Sequence, residues 1–353
     1  MTEMIPYCTR EDVQAAADFK LTARNGRRID RAVDAGSRSV DSLCHRTFYP
    51  QYDTRRWDWP NGQYARPWRL WLDDNELISL TAVTSGGTVI PMDTVLLEPN
   101  TSGPPYNRAD LDISTTSGWI GGSTHQQDIA LTGLYGYRDD HTTVGTTTTA
   151  LDAMQTTLTV TGEASAQLGI GSLLRLDGER MLVTGRTQSD TGQTLATDMD
   201  AQAKSVTVTV ASGAGYAVDE AILIGGERML VVDIAGNSLI VKRAWDGSTS
   251  APHLTGAAIY APRTLSVARG SCGSVVSTHT DSATVERWDP PPLVRQLSIA
   301  EAIVTAGMEH SAYSQVLRSG EGDTERRKDL SGIKGLRVQV YDAHGRKARL
   351  RGV

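Results

Sequence analysis

The chain has 353 residues, with 35 Lys and Arg against 41 Asp and Glu, 39% hydrophobic residues and 6% aromatics. This is an ordinary globular balance, long enough for two or three domains, and it excludes a wholly disordered or fibrous chain. No apolar run reaches the roughly 18 residues of a membrane span, and the opening MTEMIPYCTRED is acidic where a secretory signal would be basic, so a soluble product of the cytosol is expected.

The net charge of −6 is unevenly spread. Between Arg326 and Arg351 nine basic residues face only Asp329 and Asp342, an excess of +7 that leaves −13 for the rest of the chain. Duplex DNA is gripped by neutralising its phosphates with Lys and Arg, so an acidic body argues against tight duplex binding there. Cys8, Cys44 and Cys272 are odd in number and far apart. They support neither a disulfide framework nor a four-thiolate zinc site, and buried thiols are the expectation.

Residues 1–52 read as an antiparallel helix pair. Thr9 followed by Glu11 and Asp12 supplies an N-cap and first-turn acids, with Val13, Ala16, Ala17 and Lys20 at helical spacing. After Asn25-Gly26, residues Ile29, Val33, Gly36, Val40 and Leu43 mark one face of a second helix ending near Arg46, and Phe48 packs back on the pair. Residues 53–147 change to short β-type runs, RRWDW, WRLWL, LISLTAV, VIPMDTVLL, LDI and IALTGLYGY, separated by turn residues such as Asn61-Gly62 and Ser85-Gly86-Gly87. Trp57, Trp59, Trp68 and Trp71 alternate along strands, which favours core or subunit-interface packing over a carbohydrate platform.

Residues 148–264 contain a duplication: LLRLDGERMLV (173–183) matches ILIGGERMLV (222–231) at an offset of 48 positions. Each copy reads as a hairpin turning at Asp177-Gly178 or Gly225-Gly226, and the two are expected to stack on each other as a small β domain. Residues 265–292 continue as β structure up to the run Asp289-Pro290-Pro291-Pro292. In residues 293–319 Ser298 and Glu301 read as the capping box of a last helix, with Leu297, Ala300, Val304, Met308 and Ser311 on one face. Residues 320–353 comprise a solvated linker and a basic arm, LRVQVYDAHGRKARLRGV, expected to be a hairpin turning at His344-Gly345 that orders only against a partner.

Signatures of chemistry are sparse. There is no phosphate-cradling G-x-x-x-x-G-K-[ST], no G-x-S-x-G elbow and no H-E-x-x-H pair. The seven histidines (45, 125, 141, 253, 279, 310 and 344) never recur at i, i+2 or i, i+4, so no local metal pair forms. Glu179 and Glu227 suggest the paired acids of a glycosidase, but their place in equivalent turns favours exposed, structural carboxylates. His253 likewise reads as a residue of a polar turn. No catalytic residue, cofactor or metal is assigned, and the chain is not expected to be an enzyme.

The expected fold class is therefore α+β: a helical bundle body formed by both ends of the chain, with antiparallel β domains inserted between them. Tyr7-Cys8-Thr9-Arg10-Glu11-Asp12-Val13 opening the first helix, Ile29 to Val40 in the second and Arg46-Thr47-Phe48 at its end give an opening that resembles the head-to-tail adaptor (connector) family of tailed bacteriophages. The later stretch LWLDDNELISLTAVTSGGTVI resembles the longer members of that family. The likeness covers residues 5–135 and the C-terminal helix, while KRAWDGSTSAPHLTG, closing the second repeat, looks like a β module of various phage structural proteins.

The resemblance implies a virion protein of the head-tail junction, made in the host cytoplasm and assembled as a dodecameric ring below the portal. Its implied partners are the portal protein, a stopper or tail-completion protein below, and further copies of itself, with dsDNA crossing the channel without sequence-specific binding. An acidic wall suits a channel that must release its DNA. The resemblance also implies that the C-terminal arm reaches the portal, with Lys334, Leu336, Arg337, Val338, Val340, Arg346, Lys347, Arg349 and Arg351 as its candidate binding residues. Three other readings stay open: a stopper or tail-completion protein of the same neck, a carbohydrate- or receptor-binding tail component, and an unrecognised hydrolase.

Overall fold

The computed structural model describes residues 4–17, 23–59, 67–124, 126–202, 204–310, 316–317, 326–327 and 331–346. The chain opens with α1 (Arg10–Ala17) and α2 (Ala23–Cys44). Seven strands follow: β1 (Gln51–Trp57), β2 (Arg69–Trp71), β3 (Leu77–Ser85), β4 (Thr88–Ile90), β5 (Val95–Glu98), β6 (Arg108–Leu111) and β7 (Ile129–Tyr135). Next come β8 (His141–Thr146), β9 (Thr157–Thr159), α3 (Gly162–Gln167), β10 (Leu173–Leu176), β11 (Glu179–Thr194), β12 (Thr207–Thr209) and β13 (Ala221–Ile224). The last named elements are β14 (Glu227–Ala235), β15 (Ser238–Lys242), β16 (Ala258–Ala268), β17 (Thr284–Trp288), α4 (Pro292–His310) and α5 (Ser331–His344).

The expected helical bundle body is corrected by this architecture. Antiparallel sheet dominates, its largest sheet has ten strands, and the helices are a minority. The reason lies in where apolar side chains are buried: among the described residues strand positions supply most of the core, and the helices contribute the smaller share. No helix among the described residues is long and apolar enough to cross a membrane.

The chain divides into two compact units, one of residues 41–140, 272–274 and 341–353, the other of residues 1–40, 141–271 and 275–340. The first holds two antiparallel sheets, in the orders β1-β7-β3-β4 and β2-β6-β5. Trp57 and Trp119 are buried in its core with Leu72, Leu77, Leu131 and Tyr135, and Trp59 and Trp68 pack against that core. Trp71 lies on the outer side of this group, with the guanidinium groups of Arg69 and Arg108 at 5.7 and 5.3 Å from its ring. The tryptophan run is thus mainly core.

In the second unit, α1 is opened by a reciprocal cap in which Asp12 N donates to Thr9 Oγ1 (3.1 Å) and Thr9 N to Asp12 Oδ2 (2.9 Å). Cys8, Val13, Ile29, Ala32 and Val33 meet Ala302 and Ala306 of α4, so the two ends of the chain share one helical cluster. Gly36 sets the closeness of that packing. A Cβ there would lie 2.8 Å from Ser298 O and 3.0 Å from Ala302 N, a contact only glycine allows. The expected capping box at Ser298 is corrected as well. α4 begins at Pro292, whose missing N–H costs nothing in the first turn, and Ser298 is a buried mid-helix residue within 3.0 Å of Ser37 Oγ and 3.4 Å of Cys8 Sγ.

The ten-stranded sheet runs β12-β15-β14-β13-β16-β11-β10-β17-β8, with β9 on β16. It curls on itself. Thr148 N donates to Thr159 O (2.9 Å) and Thr161 N to Thr146 O (3.0 Å), which joins β8 to β9 and closes six strands around Leu158, Leu174, Leu176, Met181, Val183 and Leu265. At the other end Ala196 N donates to Thr209 O (2.8 Å), closing a second ring around Val208, Ile222, Ile224, Met229, Val231 and Leu239. Two stacked hairpins were the expectation. Instead, each repeat is one wall of a separate ring, and the long strands β11 and β16 run through both.

The basic arm also differs from expectation. Residues 331–344 form α5, where alternating Leu336, Val338 and Val340 would have made a strand. Arg337 explains the preference, because its guanidinium forms a two-pronged pair with Glu301 of α4 (2.5 and 2.9 Å) that helical geometry permits, and Val340 is buried.

Candidate functional site

The two repeats place their most polar residues in the same buried setting. Glu179 follows the Asp177-Gly178 turn and Glu227 follows Gly225-Gly226, with Asp177 and Gly225 both at positive φ, 51° and 58°. Neither glutamate is exposed; they are 1% and 0% accessible. That corrects the expectation of solvated turn carboxylates.

Glu179 accepts hydrogen bonds from Arg269 Nε (2.7 Å) and Nη2 (2.8 Å), from Gly270 N (3.1 Å) and from Ser277 N (2.9 Å). His279 Nε2 lies 3.0 Å from the same carboxylate. Glu227 repeats the pattern with Arg243 Nε and Nη2 (both 2.7 Å), Ala244 N (2.9 Å), Ala251 N (3.0 Å) and His253 Nε2 (2.9 Å). An ionised carboxylate only accepts, so each imidazole donates from Nε2. The arginines spend their other donors on main chain: Arg269 on Asp152 O, Gln155 O and Ser277 O, Arg243 on Asp200 O, Ser205 O and Ala251 O.

Burial alone would raise both glutamates. The guanidinium, main-chain and imidazole hydrogen bonds outweigh it and hold each carboxyl down at about 2. His253 is therefore a member of a buried clasp and not a turn residue at the surface. Each clasp ties the start of β11 or β14 to the loop that follows its paired strand, β16 or β15, and its glutamate and imidazole are buried away from any substrate. The signal was present in the sequence: Arg269, Ser277 and His279 recur as Arg243, Ala251 and His253 at identical spacing, in the halves of the repeat that the hairpin comparison leaves out.

A cleft of about 1190 Å³ is bordered by the start of α1, the loop before β10 and the turn at Trp245. Its charges are mostly matched in pairs. Arg10 binds Asp30 (2.7 and 2.5 Å), Arg295 binds Asp12 (2.7 Å), Arg287 binds Asp289 (2.8 Å) and Arg228 lies 3.5 Å from Asp246. Lys242 sits 4.7 Å from the Trp245 ring. Glu11 accepts from Ile170 N (2.8 Å) and lies 3.6 Å from Arg186, and its burial raises it above the usual carboxylate range. Cys8 is pushed up to about 12 by burial, so its thiol is not a ready nucleophile. The cleft thus presents paired charges beside the Trp245 ring. All three cysteines are buried and none is in a disulfide, and among the described residues no group of three or more His, Cys, Asp or Glu could hold a metal ion.

The described candidate arm residues differ in exposure and partners. Lys334, Arg337 and Val338 are exposed on α5, Leu336 is half-buried and Val340 fully buried. Arg346 pairs with Asp74 and lies 3.4 Å from Glu76, while its N–H donates to Cys44 O (2.9 Å). Lys347, Arg349 and Arg351 lie outside the described residues.

No family model matches the chain, and neither a curated protein nor a solved structure matches it significantly.

Proposed function

We propose that the chain is a structural head-to-tail adaptor of a phage neck, a ring-forming protein that binds the portal and lets dsDNA pass. The observation that carries the reading is the helical cluster. The residues of the adaptor-like opening, from Cys8 through Val33, pack with α4 from the far end of the chain, so these two of the segments that bear the resemblance share one core. The buried clasps are compatible with it, because they fasten strands and offer no reactive group to solvent. Lys347, Arg349 and Arg351 are proposed to contact the portal, and the charge of the remainder suits a wall from which DNA slides free.

The test is to mix the purified protein with portal rings of the same phage, sediment the mixture and image it by electron microscopy. Added density with the portal's rotational symmetry, lost on deleting residues 347–353, is expected. Portal rings that stay bare at micromolar protein would overturn the reading.

A further inference from the structure

The likeness between the two rings extends far past the hairpins. β10 pairs β11 from Leu173↔Leu182 to Leu176↔Glu179, and β13 pairs β14 from Ala221↔Leu230 to Ile224↔Glu227. β11 then meets β16 through Leu182↔Ala268, Val183↔Val267, Gly185↔Ser266, Arg186↔Leu265 and Thr187↔Thr264. β14 meets β15 through Leu230↔Lys242, Val231↔Val241, Asp233↔Ile240, Ile234↔Leu239 and Ala235↔Ser238. Even the bulge coincides, between Val183 and Gly185 in one and between Val231 and Asp233 in the other.

The outer strands correspond too. β9 lies on Thr264–Ser266 as β12 lies on Ser238–Ile240. β10 takes β17 as its other neighbour (Arg175↔Glu286), and β13 takes the far half of β16 (Leu223↔Tyr260). β8 closes on β17 at Thr146↔Thr284 as the far half of β11 closes on β16 at Thr194↔Ala258. The first ring thus consists of residues from 141–187 and 264–288, and the second lies wholly within 188–263.

The two differ in connection at one place. After Ala235 the chain turns through Gly236-Asn237 into Ser238; after Thr187, at the equivalent pair, it departs at Gln188 and returns from Arg263 to Thr264. We infer that residues 188–263 are a complete second copy of the first domain, inserted into its hairpin turn, and that each copy folds as a unit of its own. The two core clusters have no residue in common, and each ring has its own Glu-Arg-His clasp. Thr187 and Thr264 are paired neighbours, so an insertion there leaves the first ring's strands in place, and loop-closure entropy grows only slowly with inserted length. The joint is polar: Val160 N donates to Arg263 O (3.0 Å) and Ser165 Oγ to Pro262 O (3.2 Å).

The inference is tested in the full chain by replacing residues 188–263 with Gly-Asn, the turn that the second copy itself uses. A cooperative thermal transition, with Gly270 and Ser277 amides still slow to exchange, is expected. A second measurement covers failure of that variant for trivial reasons: hydrogen exchange of the otherwise intact protein carrying Glu227→Gln or Glu179→Gln. Glu227→Gln should speed exchange at Ala244 and Ala251 at least tenfold more than at Gly270 and Ser277, and Glu179→Gln the reverse. Equal loss of protection in both rings for both variants, or no cooperative transition together with such equal loss, overturns it. The outcome is independent of any portal binding.

Discussion

The two rings are one design executed twice in a single chain, and their differences separate what geometry demands from what it tolerates. Contacts that fix the clasp are the same in both: the glutamate after the turn, the arginine after the return strand, and the histidine ten positions later. Core positions exchange freely within apolar volume, Leu158 for Val208, Leu174 for Ile222 and Val285 for Ile259, while Met181 and Met229 stay alike. Positions at the margin change in kind. Leu168 is replaced by Tyr216, whose hydroxyl reaches Thr191 Oγ1 (3.0 Å), and Ser172 by Glu220, which pairs with Arg263 at the end of the second copy. A buried carboxylate with several donors is costly unless every donor is held, which explains why the clasp varies least.

The comparison is broken most severely by removing one arginine. Arg243→Ala strands Glu227 with its charge and without its two guanidinium bonds, and Arg269→Ala does the same to Glu179. Each should cost about 3–5 kcal/mol, the usual penalty for half of a buried ion pair. Chemical denaturation followed by tryptophan fluorescence and circular dichroism measures it. A loss below about 1 kcal/mol in either ring would mean that the clasp is ornamental there.

Acid should act on both rings together. A carboxyl whose folded value is depressed contributes stability that is complete above its ordinary range, near 4.5, and is lost as pH falls to its folded value of about 2. Each glutamate therefore supplies roughly 3 kcal/mol that disappears across this window. Denaturation midpoints from pH 5 to pH 2.5 should fall steeply in the unaltered protein and less so in Glu179→Gln or Glu227→Gln. A flat profile in the unaltered protein would show that the carboxyls are not depressed.

How far the sequence could be read depends on the range of the signal. The caps of α1, the face of α2 and the paired turns at Asp177-Gly178 and Gly225-Gly226 are local, and the periodicity of a few residues suffices to place them. The helical bundle expected as the body failed because helical periodicity at the ends says nothing about how much apolar surface the middle buries. Ser298 looked like a cap because Ser followed by Glu three positions on is the pattern of one, yet Ser298 faces Ser37 and Cys8 across a helix contact. The arm looked like a strand because Leu336, Val338 and Val340 alternate; the partner that decides the matter, Glu301, is distant in sequence. The clasps left a trace in the matched spacing of Arg269 and His279 with Arg243 and His253, but the pairing of Glu179 with His279 is hidden by distance, with a whole second ring in between.

A smaller effect is expected where Tyr216 stands in the place of Leu168. Tyr216→Phe keeps the ring in the core and removes the hydroxyl that meets Thr191, which should cost about 1 kcal/mol. The loss should appear as a lower midpoint for the second ring, with exchange at Gly270 and Ser277 of the first unchanged. A loss above about 2 kcal/mol would mean that the hydroxyl is part of the joint between the copies.

The smallest expected effect comes from exchanging the turn residues that distinguish the clasps. Asp177 Oδ2 is 2.8 Å from His279 Nδ1, whereas the matching position in the second ring is Gly225, where a Cβ would lie 3.8 Å from His253 Nδ1. Two effects of similar size oppose each other. Glycine at a positive φ removes strain of somewhat under about 1 kcal/mol, and the aspartate it replaces gives up one hydrogen bond worth about 1 kcal/mol net. Asp177 is 72% exposed at its side chain, so water and salt weaken its hold on the imidazole. His279 itself is enclosed, however, and a ring nitrogen left without a partner in that setting weighs on the side of the aspartate. Asp177→Gly should therefore destabilise the first ring by only about 0.5 kcal/mol, and Gly225→Asp should shift the second ring by a similar amount in the opposite direction. Denaturation of both variants at neutral pH decides the sign. If Asp177→Gly cost more than about 2 kcal/mol, the aspartate would belong to the clasp and the two rings would be fastened differently.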